Sequence, residues 1–253
     1  MKDKWVGIRQ SLFGNVEPKI ELVSLTCPGS WGSDGKDSFF IPTSEYSGSP
    51  EFSEVVYPGC IESQVAQAAQ VSTGVVVKDA ISLNKKLISM GHMVPVEFVA
   101  FTFMITGISK ACSSQISRHR ISSIVSSSRR YQSQQPSFVY PGLESITNEV
   151  EAKNIYTIIE TSYRVAYNTY TKLRESDTKK GDARYLVPVG SATSKMWNIN
   201  ARSLRNFLQL RLDPAAEWEI QRLSKLILNI VMSATPSLFE DIEKKFVGHE
   251  KKA

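Results

Sequence analysis

A segment rich in arginine and serine, residues 115–131, carries the side chains best suited to bind a charged ligand. Its imidazole and guanidinium groups belong to His119, Arg118, Arg120, Arg129 and Arg130. A guanidinium matches two oxygens of a phosphate or carboxylate at once, and serine hydroxyls add donors without adding negative charge. The segment therefore predicts a site for an anion, and a phosphorylated ligand is the simplest candidate.

Composition alone favours another interpretation of this segment, an exposed and disordered Ser/Arg stretch. The apolar residues around and within it argue against that interpretation. Phe103 and Ile105 precede the segment, Phe138 follows it, and Ile116 and Ile124 lie inside it. We therefore expect the segment to belong to a folded region.

Two elements are expected to position these groups. Residues 99–105 are apolar and aromatic with interspersed threonine, which is typical of a buried strand. Residues 109–120 are predicted to form a helix that Ser109 caps. On that helix Gln115, Arg118 and His119 would lie within one turn, so they could line one pocket.

A second site geometry comes from residues 198–210, which are predicted to be helical. Arg202, Asn206 and Gln209 would then share a polar stripe, whereas Leu204, Phe207 and Leu208 would form the apolar one. Arg211 follows at the end of this helix. Its charge either stabilises the helix C-terminus or enters a pocket, and the two interpretations are about equally supported.

Further helices are predicted over residues 62–71 and 79–90, along a long amphipathic stretch near 155–173, and from Asp213-Pro214 to Pro236. A strand is predicted over 19–26. Gly91 would end the helix over 79–90 as a C-terminal cap, and His92 follows it directly. An isolated histidine at that place is often only a partner for the last helix carbonyls.

Residues 30–59, rich in Gly, Ser and Pro, predict a long loop or an insertion.

Composition limits the class of protein. The chain has 253 residues, enough for one large domain, and 42% of them are hydrophobic and 22% charged, as in ordinary globular proteins. The net charge of +5 favours anionic ligands. The three cysteines form no CxxC pair, so neither a disulfide framework nor a metal site is predicted. Without a signal core or a long apolar run, we expect a cytoplasmic protein with no membrane segment.

Several motifs in a fixed order resemble one family. Arg118-His119-Arg120, then Ser128 and Arg130-Tyr131, resemble the signature of the flavin-dependent thymidylate synthases, the ThyX family. Other similar blocks are residues 68–72, 91–98, 101–103, 200–211 and 216–220, so the resemblance covers roughly residues 65–246. A lone Arg-His-Arg would be weak evidence, whereas several ordered blocks are strong.

The resemblance implies a fold and an activity. The fold would be α+β, with long helices around a twisted, mainly antiparallel sheet, in a single domain over residues 1–253. The activity would be conversion of dUMP to dTMP, with methylenetetrahydrofolate as one-carbon donor and NADPH reducing bound FAD. Family members are homotetramers whose active sites lie between subunits.

The resemblance also assigns roles to residues of this chain. Its implied FAD ligands are Arg118, His119, Arg120, Asn200, Arg202 and Asn206. Its implied nucleotide ligands are Gln115, Arg118, Ser128, Arg129, Arg130, Arg184 and Arg211. Arg211 would stabilise negative charge on the pyrimidine, and His92 would influence flavin reactivity. Ser128 has no evident base beside it, so it would orient the ligand and not attack it.

The chain departs from the family in the site itself. Val125-Ser126 stands where family members commonly have a polar residue and glutamate, Val94 replaces a frequent Ser or Thr, and Glu97-Phe98 replaces a frequent Glu-His pair. Losing a carboxylate beside the pyrimidine changes the acceptors and charge there. Three hypotheses remain: a thymidylate synthase; a relative that acts on another pyrimidine nucleotide or hydroxymethylates; and a non-catalytic flavin- or nucleic-acid-binding relative. The basic residues are scattered, so nucleic acid is not the expected partner.

Overall fold

The computed structural model describes residues 5–25, 60–73 and 78–246. The loop or insertion predicted at 30–59 lies outside the described residues, as does Cys27. Within the described part of the chain, no helix is long and apolar enough to span a bilayer.

Helices account for most of the described residues. In chain order they are α1 (Val6–Gln10), α2 (Cys60–Thr73), α3 (Ala80–Ser89), α4 (Lys110–Ile116), α5 (Glu149–Glu175), α6 (Lys180–Ala183), α7 (Ala201–Arg211), α8 (Trp218–Ala234) and α9 (Glu240–Phe246). Short 3-10 turns lie at Pro95–Phe98, Arg184–Leu186 and Pro236–Leu238.

The strands are β1 (Lys19–Leu25), β2 (Ala100–Ser109), β3 (Ser123–Ser126) and β4 (Ala192–Asn200). They form one antiparallel sheet in the order β1-β2-β4-β3. The mixture of long helices with this sheet confirms the predicted α+β class. Strands β1 and β2 were predicted, although β2 continues to Ser109, four residues past the predicted end.

Two compact units divide the chain. The first unit consists of the described parts of Met1–Lys19, Ile105–Arg118 and Val125–Lys195, and the second consists of the described parts of Ile20–Met104, His119–Ile124 and Met196–Ala253. Each has its own apolar core. In the first, Trp5, Phe138, Tyr140, Ala152 and Tyr156 pack together. In the second, Phe103 and Phe207 both pack against the fully buried Trp197, and Phe101 packs against Phe239.

The predicted helix over 109–120 is wrong at its C-terminal end. Ser109 does cap it, accepting the Cys112 backbone N–H at 2.9 Å, but the helix stops at Ile116. Of the three residues expected on one turn, only Gln115 is helical, whereas Arg118 and His119 lie beyond the end. The run of β-branched and serine residues that follows enters β3 instead, because such residues fit an extended strand better than a helix.

Two other boundaries also need correction. The helix predicted from residue 198 begins at Ala201, because Asn200 is its N-cap and Asn198 still belongs to β4. Helix α8 begins at Trp218 and not at Asp213. The Asp213 carboxylate instead accepts the Ala215 backbone N–H at 2.8 Å, which closes a local turn.

Gly14 makes a close backbone contact that predicts a large effect on stability. It has φ +63°, and an added Cβ would overlap the Pro136 carbonyl oxygen. Since both the left-handed backbone and the overlap cost free energy, we expect Gly14→Ala to lower the free energy of unfolding by about 3 kcal/mol in urea titrations. Gly7→Ala is the control. Gly7 lies in α1 with nothing within 4 Å of its Cβ position, so its replacement should leave stability unchanged or slightly raised.

Candidate functional site

The residues predicted to form the site fall in both units. The second unit holds His92, His119, Arg120, Asn200, Arg202, Asn206 and Arg211. The first unit holds Gln115, Arg118, Ser128, Arg129, Arg130 and Arg184. Their assignments to flavin or nucleotide stay predictions.

Helix α7 carries the polar stripe that its spacing predicts. Arg202, Asn206 and Gln209 are exposed along one side. The opposite side is apolar and fully buried, at Leu204, Phe207 and Leu208. Asn200 starts the helix by accepting the Ser203 backbone N–H at 2.8 Å, so its side-chain amide group remains as a donor for a ligand.

The exposed side of α7 forms one wall of a cavity of about 570 Å³. The size is in the range of small-molecule sites. Besides the three polar residues of α7, the lining includes Lys85, Lys244, Glu240, Arg205 and Asp241. The acidic groups are already paired: Glu240 with Lys85 and Lys244, and Asp241 with Arg205. Hydrogen bonds from Lys244 and Lys85 lower the Glu240 pKa to about 2, so this carboxylate stays ionised. With both carboxylates paired, the wall presents the amide groups of Asn206 and Gln209 and the exposed Arg202 guanidinium to a ligand, which suits one with phosphate and hydroxyl oxygens.

Arg202 has a partner of its own at this wall. One of its Nη groups lies 2.5 Å from the Glu97 carboxylate, and both side chains are about half exposed. An exposed pair of this kind contributes little to stability. A ligand at the cavity can therefore engage Arg202 without a large cost to the fold.

Arg211 and His119 form the most definite side-chain contact among the predicted residues. The Arg211 Nε donates to His119 Nε2 at 3.2 Å. The imidazole is held in place by Phe207, whose ring meets it edge-on with centroids 4.8 Å apart. Burial, aided by the Arg211 charge, lowers the His119 pKa to about 4. The ring is therefore neutral at pH 7, with its proton on Nδ1, and it orients the guanidinium as an acceptor.

The His119 environment predicts a pH dependence of stability. Its pKa of about 4 lies below the value near 6.5 expected for an unfolded chain, so the unfolded state binds the proton first as pH falls. The stability that the neutral ring contributes is complete above about pH 6.5 and is lost as pH falls toward 4. Unfolding of the wild type and of His119→Asn, measured from pH 7.5 to 4, should show this extra loss only in the wild type. If the free energy of unfolding depends on pH equally in the two proteins, the lowered pKa assigned to His119 is wrong.

In the first unit, Arg129 is engaged with backbone. Its Nη2 donates to the carbonyl oxygens of Ser191 (3.3 Å) and Ala192 (3.4 Å). Burial lowers its pKa to about 10, so it keeps its charge at neutral pH. Ser128 Oγ accepts the Arg130 backbone N–H at 3.3 Å, a local turn contact that gives the hydroxyl no base to activate it.

The remaining predicted residues lie at the surface. Arg118, Arg120, Arg130 and Arg184 are exposed. His92 is exposed after Gly91, which has φ +76° as expected of a cap, and its backbone N–H donates to the Leu87 carbonyl at 2.9 Å. These positions leave the guanidinium and imidazole groups accessible to ligands.

Sequence reasoning missed Lys195, which lies in the first unit and is only 2% exposed. Its signal was the alternation of β4, in which Thr193, Lys195, Trp197 and Ile199 are the buried residues. Successive side chains of a strand point to opposite faces of the sheet, so every second residue lies on the same face. Lys195 lies on the buried face of β4, where a charged side chain is unusual.

Comparisons with known proteins give one consistent match. The family model described as thymidylate synthase complementing protein matches residues 55–237. A flavin-dependent thymidylate synthase of Sulfurisphaera tokodaii is 35% identical over 160 residues, which are 63% of this chain and 61% of the relative. One from Thermosipho africanus is 34% identical over 193 residues, covering 69% of this chain and 82% of the relative. The match to the archaeal relatives thus spans about three fifths of their length.

One solved structure supports the same fold. It is described as a crystal structure of a UMP/dUMP methylase, PolB, from Streptomyces cacaoi bound with 5-Br UMP. The TM-score is 0.70 and the sequence identity 19%, with 92% of this chain and 97% of that chain covered.

Proposed function

The chain belongs to the family of thymidylate synthase complementing proteins, and on that premise we propose that it is a flavin-dependent thymidylate synthase. The reaction would convert dUMP to dTMP, with methylenetetrahydrofolate as one-carbon donor and NADPH as reductant. The named relatives support the flavin and the pyrimidine nucleotide. The two further co-substrates are carried over from the family resemblance.

The observation that carries the proposal is the contact of Arg211 with His119. A neutral imidazole takes one guanidinium donor and leaves the charge unneutralised. No carboxylate pairs with Arg211 among the described residues. The guanidinium can therefore stabilise negative charge on a pyrimidine as its carbon becomes a better nucleophile.

Residues of α7 would hold the flavin. Arg202 and Asn206, with the Asn200 amide at the start of the helix, are donors at or beside the cavity wall, and they fit the phosphate and hydroxyl oxygens of FAD. When bound, reduced flavin supplies the hydride that the chemistry requires. Arg118, His119 and Arg120 complete the proposed set of flavin ligands, and His92 would tune flavin reactivity.

The nucleotide ligands that the family resemblance implies are groups of the first unit and, separately, Arg211 of the second. Arg130, Arg184 and Arg118 would take the phosphate, for which exposed guanidinium groups are suited. Gln115, Ser128 and Arg129 would orient the nucleotide without covalent chemistry. Such dispersed ligands agree with the proposed homotetramer with active sites between subunits, acting in the cytoplasm.

A second candidate function is modification of another pyrimidine nucleotide or hydroxymethylation, and the contact of Ser126 favours it. Ser126 stands where the family commonly has glutamate, and its hydroxyl oxygen accepts a hydrogen bond from Lys195 at 2.9 Å. A negatively charged acceptor is thus replaced by a hydroxyl joined to a cation. A site that has exchanged an acceptor for such a hydroxyl can prefer a nucleotide with a different base or sugar.

Release of tritium from C5-labelled nucleotides tests the proposal. Purified protein with bound flavin is incubated anaerobically with methylenetetrahydrofolate, NADPH and either labelled dUMP or labelled UMP. Faster release from dUMP together with a product of the mass of dTMP supports the first candidate. Faster release from UMP, or a product with the mass of a hydroxymethyl derivative, supports the second. Absence of flavin and of release from both nucleotides would refute both.

A further inference from the structure

Lys195 occupies an interior position of strand β4. Buried residues alternate along this strand, and Lys195 lies between Thr193 and Trp197 in that series, with an exposed fraction of 2%. A charged side chain this deeply buried is costly unless it is paired and hydrogen-bonded. The partners of its ammonium group therefore indicate why the charge is present.

Two serine hydroxyls are the partners of the ammonium group. Nζ donates to Ser117 Oγ at 2.8 Å and to Ser126 Oγ at 2.9 Å. Ser117 follows the end of α4 and Ser126 ends β3, and both side chains are exposed. The buried cation thus lies behind two hydroxyls that face solvent.

Lys195 lacks an acidic partner among the described residues, because no carboxylate lies within salt-bridge distance of it. Burial lowers its pKa, and the Cys112 thiol acts weakly in the opposite direction. Other cations are near. The pKa of Lys110 is lowered by burial and then by the charges of Arg129 and Lys195. This part of the first unit therefore has an excess of positive charge that an anion would relieve.

The hydrogen-bond directions define what the two serines can offer. Ser117 Oγ accepts from the ammonium and donates its own hydrogen to the Ser113 carbonyl oxygen at 3.0 Å, so it has no further hydrogen to give. Ser126 Oγ also accepts from the ammonium, and its hydrogen is left to donate to a ligand. The ammonium itself has three N–H donors, and the third has no partner within the described ranges. One polarised O–H donor, from Ser126, and one charged N–H donor, from Lys195, suit an oxygen atom that carries negative charge.

We propose that Ser126 and Lys195 form an oxyanion-binding site for the phosphate or carboxylate group of a ligand, with Ser117 holding the ammonium in position. The site is distinct from the exposed arginines assigned to the nucleotide phosphate, and it goes beyond the proposed function. Its existence does not depend on thymidylate synthase activity, since only binding is required of it.

Binding of radiolabelled inorganic phosphate in equilibrium dialysis tests the site. Lys195→Met keeps the side-chain volume and removes the charge, so we expect phosphate affinity to fall by about 10- to 100-fold. Lys172→Met removes one exposed lysine charge elsewhere in the first unit and should leave affinity within about twofold. Equal affinity in all three proteins would overturn the proposal.

Thermal unfolding without phosphate separates a ligand site from a structural role. Removing a buried charge that lacks a counter-ion should leave Lys195→Met as stable as the wild type or more stable. The variant Ser126→Ala changes only an exposed side chain, so it should fold and also bind phosphate more weakly. Full phosphate affinity in this variant would overturn the proposal.

Competition experiments identify the source of the oxyanion. Labelled phosphate is displaced with dUMP, with deoxyuridine and with glutarate. Displacement by dUMP, with deoxyuridine inactive, assigns the site to a phosphate ester, and displacement by glutarate assigns it to a carboxylate. If Lys195→Met changes none of these displacement curves, the site does not exist.

Discussion

Arg211→Ala is expected to lower turnover by about 100- to 1,000-fold while the flavin content of the purified protein stays near that of the wild type. The reason is the position of Arg211 beside a neutral acceptor. His119 orients the guanidinium without cancelling its charge, so the side chain can stabilise an anionic substrate. Steady-state rates and flavin absorbance, measured on the same preparations, give the two quantities.

The variant Arg211→Lys provides the matched control for charge. A lysine retains one positive charge but lacks the planar guanidinium that can bond His119 and a ligand together. We expect it to recover only a small part of the lost rate. Equal loss of flavin and turnover in Arg211→Ala would mean that the residue holds the cofactor and that its assignment to the pyrimidine is wrong.

Arg202→Ala should weaken flavin binding by about 10- to 100-fold, the range for loss of a charge-assisted hydrogen bond. The guanidinium lies at the cavity of the second unit beside Asn206 and Gln209. Flavin retained after ultrafiltration, measured by absorbance, gives the affinity. Stability should change little, because the ion pair of Arg202 with Glu97 is exposed.

Glu97→Gln is the control for this second prediction. It removes the charge paired with Arg202 but keeps the arginine, so flavin should bind at least as tightly as in the wild type. A variant Arg202→Ala that keeps a full complement of flavin would refute the role of Arg202. Equal loss of flavin in both variants would show that the ion pair, and not the guanidinium alone, supports the cofactor.

The polar side of α7 could be predicted because local rules agree there. Leu204, Phe207 and Leu208 recur at helical spacing, although the N-cap at Asn200 was not recognised and the start was placed too early. Core burial then fixes which side faces out, so the exposure of Arg202 and Asn206 follows from the sequence alone. Helix α3 was predicted from its apolar spacing and from Gly91 just past its end, and the structure shows that Asp79 is its N-cap.

The segment after Ile116 could not be predicted from local rules. Ile121, Ile124 and Val125 favour a strand, but no cap or stop signal follows Ile116, so the end of the helix could not be placed from the sequence. Pairing of β3 with β4 adds to the local preference for a strand, and that contact is not local in sequence. The placement of His119 against Phe207 depends on this outcome.

Lys195 was missed because a lysine normally marks a solvent-exposed position. Thr193 and Trp197 lie on the buried face of β4 on either side of Lys195. That pattern indicates burial of the lysine only if the segment has first been recognised as a strand. Its serine partners come from two distant elements, α4 and β3. No spacing rule along the chain connects these three residues.

The central claim is that this chain methylates dUMP. The most direct test is anaerobic incubation of the flavin-bound protein with dUMP, methylenetetrahydrofolate and NADPH, followed by mass spectrometry of the nucleotide. We predict a product with the mass of dTMP, formed by the wild type and nearly absent with Arg211→Ala. An unchanged nucleotide, or one with the mass of a hydroxymethyl derivative, would contradict the claim and show that the fold supports different chemistry.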